Sequence, residues 1–295
     1  MRIERTGKII DGFYVVGHSA APVFLLDGPF PVLFDAGFTG LSQLYERGIK
    51  HVLGSRSPRF LFLTHSHWDH VGAAAHLKQV WPEMKIAGSL ASSEILARPR
   101  AIAQIKTLNQ GALEVLRSWG IAEVYEGEFK PFAFDVVLKD ARTIKIDPNR
   151  TVEAIPAPGH TWDGVAYWMP ERKILVAGEA TGCDGVCEFL VDYEAYRNSL
   201  MTLSALDVQI LCIAHRLVFT GSDVEKHMTR SINQVPEYVN RVERYLREEK
   251  GDVDRVVARV KAAEWDKKSL PKQPLEAYLM NTKTRVKTVK RCMGD

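Results

Sequence analysis

The stretch RFLFLTHSHWDHVG, residues 59–72, constrains the chain more than any other. Phe60, Leu61, Phe62 and Leu63, followed by the β-branched Thr64, have the composition of a short strand buried on both faces. Three histidines and an aspartate then crowd into six positions: His65, His67, Asp69 and His70. On a helix, residues two apart point to different sides. In a turn at a strand end, His65 and His67 can converge on one ion. Asp69 and His70 fall where a following helix begins and can aim at a second ion nearby. A borderline cation such as zinc takes imidazole nitrogen and carboxylate oxygen at about 2.0–2.2 Å, so one turn can feed two adjacent sites. It cannot fill both coordination shells, and other loops must contribute.

Three ligand-type residues stand at the ends of later predicted strands. His160 lies in PAPGHTWDG after TVEAIPA, Glu179 in VAGEATG after KILVA, and His215 in CIAHR after QILCI. Asp35 in LFDAG repeats the pattern earlier in the chain. Loops that leave one edge of a sheet converge, so these side chains can meet although they are far apart in sequence.

The series FDAG, THSHWDHVG, PGHT, GE and AH resembles the metallo-β-lactamase superfamily in order and approximate spacing, over residues 15–220. That resemblance implies an α/β fold, a four-layer αββα sandwich with the metal site at one edge between two sheets. It also implies two divalent metal ions. His65, His67 and His160 would hold one, Asp69, His70 and His215 the other, and Glu179 would bridge them. Zinc is the first choice, with iron or manganese open, because imidazole and carboxylate suit all three. Asp35 would orient ligands without binding metal, and Asp163 in GHTWDG is given a similar supporting place. Two positions depart from the family pattern. Glu179 stands where Asp is usual and is one methylene longer, so it bridges with a shifted backbone, binds one ion, or lies outside the shell. Ala214 precedes His215 where Gly is usual.

A chain of 295 residues fits one large domain or a domain with an appendage. Residues 1–220 read as the metal-binding domain, and residues 221–295 as a C-terminal helical hairpin with a basic tail packed on it. Residues 91–120 read as a helical excursion across one face. Ser222 and Glu225 match a capping box. Met228, Ile232, Val235, Val239, Val242 and Leu246 form one apolar seam at helical spacing, with Pro236 as a possible kink. Val253, Val256, Val257 and Val260 continue on a second helix after Gly251. The seam fits packing on the main body; the alternatives are a homodimer contact or a lid. From Trp265 onward the tail carries eight Lys or Arg against three Asp or Glu, and is expected to be solvated or else to meet an acidic ligand.

The net charge of +3 is too small to argue for nucleic acid or a membrane as partner. No apolar run reaches the ~20 residues that span a bilayer, and the first residues lack a signal-peptide pattern. Four cysteines, Cys183, Cys187, Cys212 and Cys292, do not make a disulfide framework in a chain this long. A cytoplasmic protein with reduced thiols is expected, with Cys183 and Cys187 as free thiols on a loop near the site. His18, His51, His76 and His227 are read as structural, with His18 the best placed of them to line the pocket.

Two cations that share a water lower its pKa and make a hydroxide nucleophile; one of them also takes the developing oxyanion. Asp69 is the candidate catalytic residue, orienting that nucleophile or shuttling its proton. The expected activity is a metal-dependent hydrolase acting on a small acyl thioester or ester. The C-terminal helices resemble those of glyoxalase-II-like thioesterases and of the quinolone-response thioesterase of the same superfamily. A lactonase is the nearest alternative. Two other classes are open: an iron-dependent oxygenase, and a low-turnover metal-binding or partner-binding protein, the latter prompted by Glu179.

Overall fold

Phe60 and Phe62 turn to one side of their strand and Leu61 and Leu63 to the other, and all four are buried. The same alternation runs through Ala21–Leu26, two strands away in the same sheet, where Phe24 and Leu26 lie on one face and Val23 and Leu25 on the other. Strands apolar on both faces need cover on both sides, and the architecture follows from that need. The structure, a computed structural model, describes residues 1–140, 142–183, 186–267 and 275–294.

The strands are β1 (Arg2–Ile3), β2 (Gly7–Ile10), β3 (Phe13–His18), β4 (Ala21–Leu26), β5 (Val32–Phe34), β6 (Phe60–Phe62), β7 (Lys85–Ser89) and β8 (Val136–Leu138), then β9 (Arg142–Asp147), β10 (Arg150–Pro156), β11 (Val165–Met169), β12 (Ile174–Gly178), β13 (Ile210–Ile213) and β14 (Val218–Thr220). They form two seven-stranded sheets, ordered β2-β3-β4-β5-β6-β7-β8 and β1-β14-β13-β12-β11-β10-β9. In the first sheet β5 to β8 run parallel; in the second only β12 and β13 do.

The helices are α1 (Ser42–Leu53), α2 (Trp68–Val71), α3 (Ala74–Val80), α4 (Leu90–Leu96), α5 (Pro99–Gly111), α6 (Leu113–Ser118), α7 (Tyr193–Ser204), α8 (Ser222–Glu248), α9 (Val253–Glu264) and α10 (Leu275–Cys292). Between the sheets, Phe24, Phe34 and Phe62 of the first meet Val152, Tyr167 and Val176 of the second. Val23, Leu33 and Leu61 on the outer face of the first sheet pack on Tyr45 and Ile49 of α1 and Leu116 of α6. Ala166, Leu175 and Leu211 on the outer face of the second pack on Leu203 of α7 and Met228 of α8. The layers are therefore helix, sheet, sheet, helix, the expected αββα sandwich. The excursion over residues 91–120 is helical, as α4, α5 and α6. Among the described residues no helix is long and apolar enough to cross a membrane.

The C-terminal part departs from expectation in two ways. Gly221, at φ 59°, precedes α8 and no side chain caps it. Ser222 is already the first helical residue, so the Ser222–Glu225 capping box does not form; Asp223 in the first turn instead pairs with the N-terminal ammonium at 3.0 Å. Nor is the basic tail wholly solvated, because α10 is a third helix. Tyr278, Thr282, Arg285 with Val286, and Val289 follow one another at helical spacing, and each is buried. The seam of α8 is covered within the chain. Val235, Val239, Val242 and Leu246 pack with Val256 and Val260 of α9, Val286 and Val289 of α10, and Tyr196 and Leu200 of α7. Pro236 lies inside α8, which runs through it.

Gly72 closes the ligand-rich turn, where its N–H donates to the Gly37 carbonyl at 2.7 Å. A Cβ there would lie 2.3 Å from the Thr39 nitrogen and 2.5 Å from the Gly37 oxygen. Backbone cannot swing aside as a side-chain tip can, so Gly72→Ala is expected to cost about 3 kcal/mol, the upper part of the overpacking range. Urea unfolding checks this; a loss within about 0.5 kcal/mol, the scatter of surface substitutions, would show that the contact is not tight.

Candidate metal centre

Most residues of the centre sit past the end of a strand, and Asp69 and His70 sit in the short helix α2. Asp35 follows β5, His65 and His67 follow β6, His160 follows β10, Glu179 follows β12 and His215 follows β13. His65, His70, His160, Glu179, Asp35 and Asp163 are buried, while His67, Asp69 and His215 are half-buried. Ligand atoms of His65, His67 and His160 lie within 4.8 Å of one another, and so do those of Asp69, His70, Glu179 and His215. All seven predicted ligands thus meet, in two groups.

The imidazoles are oriented from behind. The Thr64 hydroxyl lies 2.9 Å and 3.0 Å from the two Asp35 carboxylate oxygens and 3.0 Å from His65 Nδ1. A hydroxyl has one hydrogen and a carboxylate only accepts, so Thr64 donates to Asp35 and accepts from His65 Nδ1–H. His65 then presents a bare lone pair on Nε2. His160 donates from Nδ1 to the Glu188 carbonyl at 2.5 Å, and His215 from Nδ1 to the Ala20 carbonyl at 2.9 Å. His70 donates from Nδ1 to Asp35 Oδ2 at 2.8 Å. In each ring the other nitrogen, Nε2, faces the centre, the arrangement in which outer partners set tautomer and angle for a metal.

Glu179 stands between the groups. Its Oε1 lies 3.0 Å from His70 Nε2 and 3.2 Å from His215 Nε2, and its Oε2 lies 3.5 Å from His65 Nε2. The longer side chain therefore offers one oxygen to each side. Asp69 Oδ2 lies 3.5 Å from His215 Nε2. His160 Nε2 and His67 Nδ1 face each other at 3.1 Å.

These contacts test whether divalent cations fit. His65 Nε2 and Glu179 Oε2 are buried and neither has a hydrogen-bond partner. Both are electron-pair carriers, and buried polar groups are ordinarily paired. A cation lying between such atoms would satisfy both. The nitrogen and oxygen donor set, with its outer hydrogen bonds in place, suits that reading.

The protonation pattern agrees. Burial holds the imidazoles of His65 and His160 below the ordinary range, His65 far below it and His160 at about 4. Burial also works against a charged His70, yet Glu179 and Asp35 on either side raise it well above its ordinary value. Burial opposes charge on His215 too, but its hydrogen bond with Glu179 lifts it to about 9. Glu179 is raised by burial and lowered more by His70, His65 and His160, so it remains ionised.

Two backbone positions support the ligands at positive φ. Asp35 has φ 60°, a region that aspartate tolerates better than most residues, and its carboxylate collects Thr64 N–H at 2.8 Å besides the Thr64 hydroxyl and His70. Arg216, at φ 70°, follows His215 and donates its N–H to the Ser19 carbonyl at 2.8 Å. Asp163 Oδ2 accepts from Ser66 N–H and from the Ser92 hydroxyl, each at 2.7 Å, and so ties the HSHWDH turn to α4. His18 stands outside both groups and stacks on Trp119 at 5.0 Å; His76 bonds Glu46 at 2.7 Å and His227 stacks on Phe219 at 4.2 Å. Cys183 and Cys187 are free and buried, and burial pushes both thiols up. The sequence reading missed Thr64, although it directly precedes His65. It also missed Glu188, a buried residue whose carboxyl burial pushes up to about 7 and whose carbonyl holds His160.

The sequence profile of the metallo-beta-lactamase superfamily matches residues 20–215. A hydroxyacylglutathione hydrolase of Bartonella tribocorum is 24% identical over 131 residues, a stretch that covers 43% of this chain and 37% of that protein's length. An archaeal metallo-beta-lactamase superfamily protein of Sulfolobus tokodaii matches in structure with a TM-score of 0.60 and 17% identity, over 95% of this chain and 98% of its own. A stereoselective inverting sec-alkylsulfatase of a Pseudomonas species matches with a TM-score of 0.70 and 14% identity, over 98% of this chain and 50% of its own. At these identities the structural matches speak for the fold alone.

Ligation requires neutral imidazole, whereas His70 and His215 carry protons at neutral pH in the metal-free protein. Metal binding is therefore expected to release protons, and affinity to rise with pH up to about 9 as His215 loses its own. Titration calorimetry in buffers of different ionisation enthalpy measures the release; no dependence on buffer would contradict it. Asp35→Asn removes the charge behind His70 and is expected to weaken metal binding about 10–100-fold, as read by competition with a chromophoric chelator.

Proposed function

The chain belongs to the metallo-β-lactamase superfamily, and from that premise we propose that it is a metal-dependent hydrolase of a small acyl thioester or ester. The observation that carries the reading is the pair of ligand groups meeting across Glu179, with His65 Nε2 and Glu179 Oε2 buried and unpaired. On this reading His65, His67 and His160 would hold one divalent cation, Asp69, His70 and His215 would hold the other, and Glu179 would lie between them. Zinc is the first choice, with iron and manganese as alternatives. Such cations, when bound, supply Lewis acidity and lower the pKa of a water that they share.

The chain's own groups do the rest. Asp69 is half-buried and lies beside His215, so its carboxylate can take the proton of an attacking water and hand it to the leaving group. Asp35 keeps His70 in place through the reaction. The wall around His65, His160 and Glu179 is buried, which strengthens electrostatic contacts made there. Trp162, two residues after His160 and 60% exposed, offers apolar surface for an acyl chain. The relative from Bartonella tribocorum supports a thioester, since its name specifies an acyl group carried on glutathione.

The test is hydrolysis of acyl thioesters, aryl esters and lactones by protein of known metal content, with and without chelator. Thioester or ester turnover that chelator abolishes and added metal restores is expected. A fully metallated protein inert toward thioesters and esters would overturn the proposal, and lactone turnover alone would move the assignment to a lactonase. Trp162→Ala is expected to raise KM for long-chain acyl substrates severalfold and leave kcat unchanged, the mark of binding lost equally in ground and transition states.

A further inference from the structure

Arg285, on α10, is 1% exposed. Burying a guanidinium is costly, and it persists where its donors are used. The rings of Tyr238 and Tyr278 lie 4.9 Å and 5.9 Å from it. Its hydrogen bonds go to neutral oxygens, Thr282 Oγ1 at 3.0 Å and the backbone carbonyl of Cys187. Thr288 donates to the Leu190 carbonyl at 2.5 Å, and Arg291 to the Val191 carbonyl at 2.7 Å. Residues 285, 288 and 291 follow at intervals of three, so one stripe of the helix grips three carbonyls of residues 187–191.

The same short segment reaches the metal centre from its other side. The carbonyl next after Cys187, that of Glu188, accepts from His160 Nδ1. The N–H groups of Leu190, Val191 and Asp192 converge on the Gly159 carbonyl at 3.0, 3.1 and 3.3 Å. Successive carbonyls thus face opposite partners, Cys187 toward α10 and Glu188 toward His160.

We propose that α10 is a positioning element of the metal centre: Arg285, with Thr288 and Arg291, holds the 187–191 segment so that the Glu188 carbonyl sets the angle and tautomer of His160. The C-terminal helix thereby tunes affinity for the one ion that His160 binds. This rests on the metal-centre reading above. A merely structural role would lower the stability of the whole chain and weaken both ions alike, or neither.

The experiment uses the full chain equilibrated with zinc at buffered free concentrations, reading ions per chain and affinity by chelator competition. Arg285→Met keeps an apolar side chain about as long as the arginine stem and removes the guanidinium donors. It is expected to leave one ion bound as in the parent protein and to weaken the other roughly tenfold or more. In a His160→Ala background the same change is expected to have no further effect on metal binding, because the two residues act on one ion. Arg285→Met holding both ions at parental affinity, or weakening both equally, would overturn the proposal. Should Arg285→Met not fold, the double variant Thr288→Val, Arg291→Ala removes the other two donors and is judged by the same outcomes. A parent chain that binds no ion at all would defeat the metal-centre reading itself, whereas two tight ions in parent and variant alike would defeat only the role of α10.

Discussion

The Asp35 carboxylate is the contact on which the arrangement of the centre depends. It receives the Thr64 N–H and hydroxyl and the Nδ1–H of His70. Through the hydroxyl it dictates where the single proton of His65 sits, and through its charge it keeps His70 protonated until a stronger partner arrives. A buried carboxylate is tolerated only when it is well paired, and here the pairing and the orientation of two ligands are the same three hydrogen bonds. The positive φ of Asp35 is what turns the chain at the end of β5, and aspartate accepts that backbone where a bulkier residue would not.

The sandwich makes those bonds possible. Its two sheets are clamped by a continuous apolar layer, which leaves the loops at one edge little freedom. Candidate ligands carried past four strand ends can then stand within a few ångströms without being held by covalent links. The ring nitrogens of His160 and His215 are each fixed by a backbone carbonyl of another loop, so loop placement and ligand geometry are a single problem. Water is kept from most of the centre, and the unpaired His65 Nε2 and Glu179 Oε2 carry a penalty that a bound cation would remove.

Much of this was legible in the residues. The apolar run at 60–63 announced a strand buried on both faces, and HSHWDH announced ligands, because few other uses justify such crowding. The late strands were legible from their composition, and the seam of α8 from its periodicity. What escaped had weaker local signals. The Ser222–Glu225 pair satisfied a motif but sits one residue too far into the helix, since the glycine turn after β14 starts it earlier. The helix α10 was hidden by its Lys and Arg content, because charge suggested solvent while Thr282, Arg285 and Thr288 were destined for burial. Glu188 had no motif around it.

The sequence by itself determined the ligand types, their order and the strand ends that carry them, because those depend on local spacing and hydrophobic alternation. It left open whether Glu179, one methylene too long, could reach both groups. Only the tertiary structure decided that, by setting the ends of β6, β12 and β13 at a separation where the longer side chain turns one oxygen to His65 and the other to His70 and His215. It likewise decided which oxygen stands behind each imidazole, since those partners lie anywhere from one to 195 residues away along the chain and come together only when the two sheets pack.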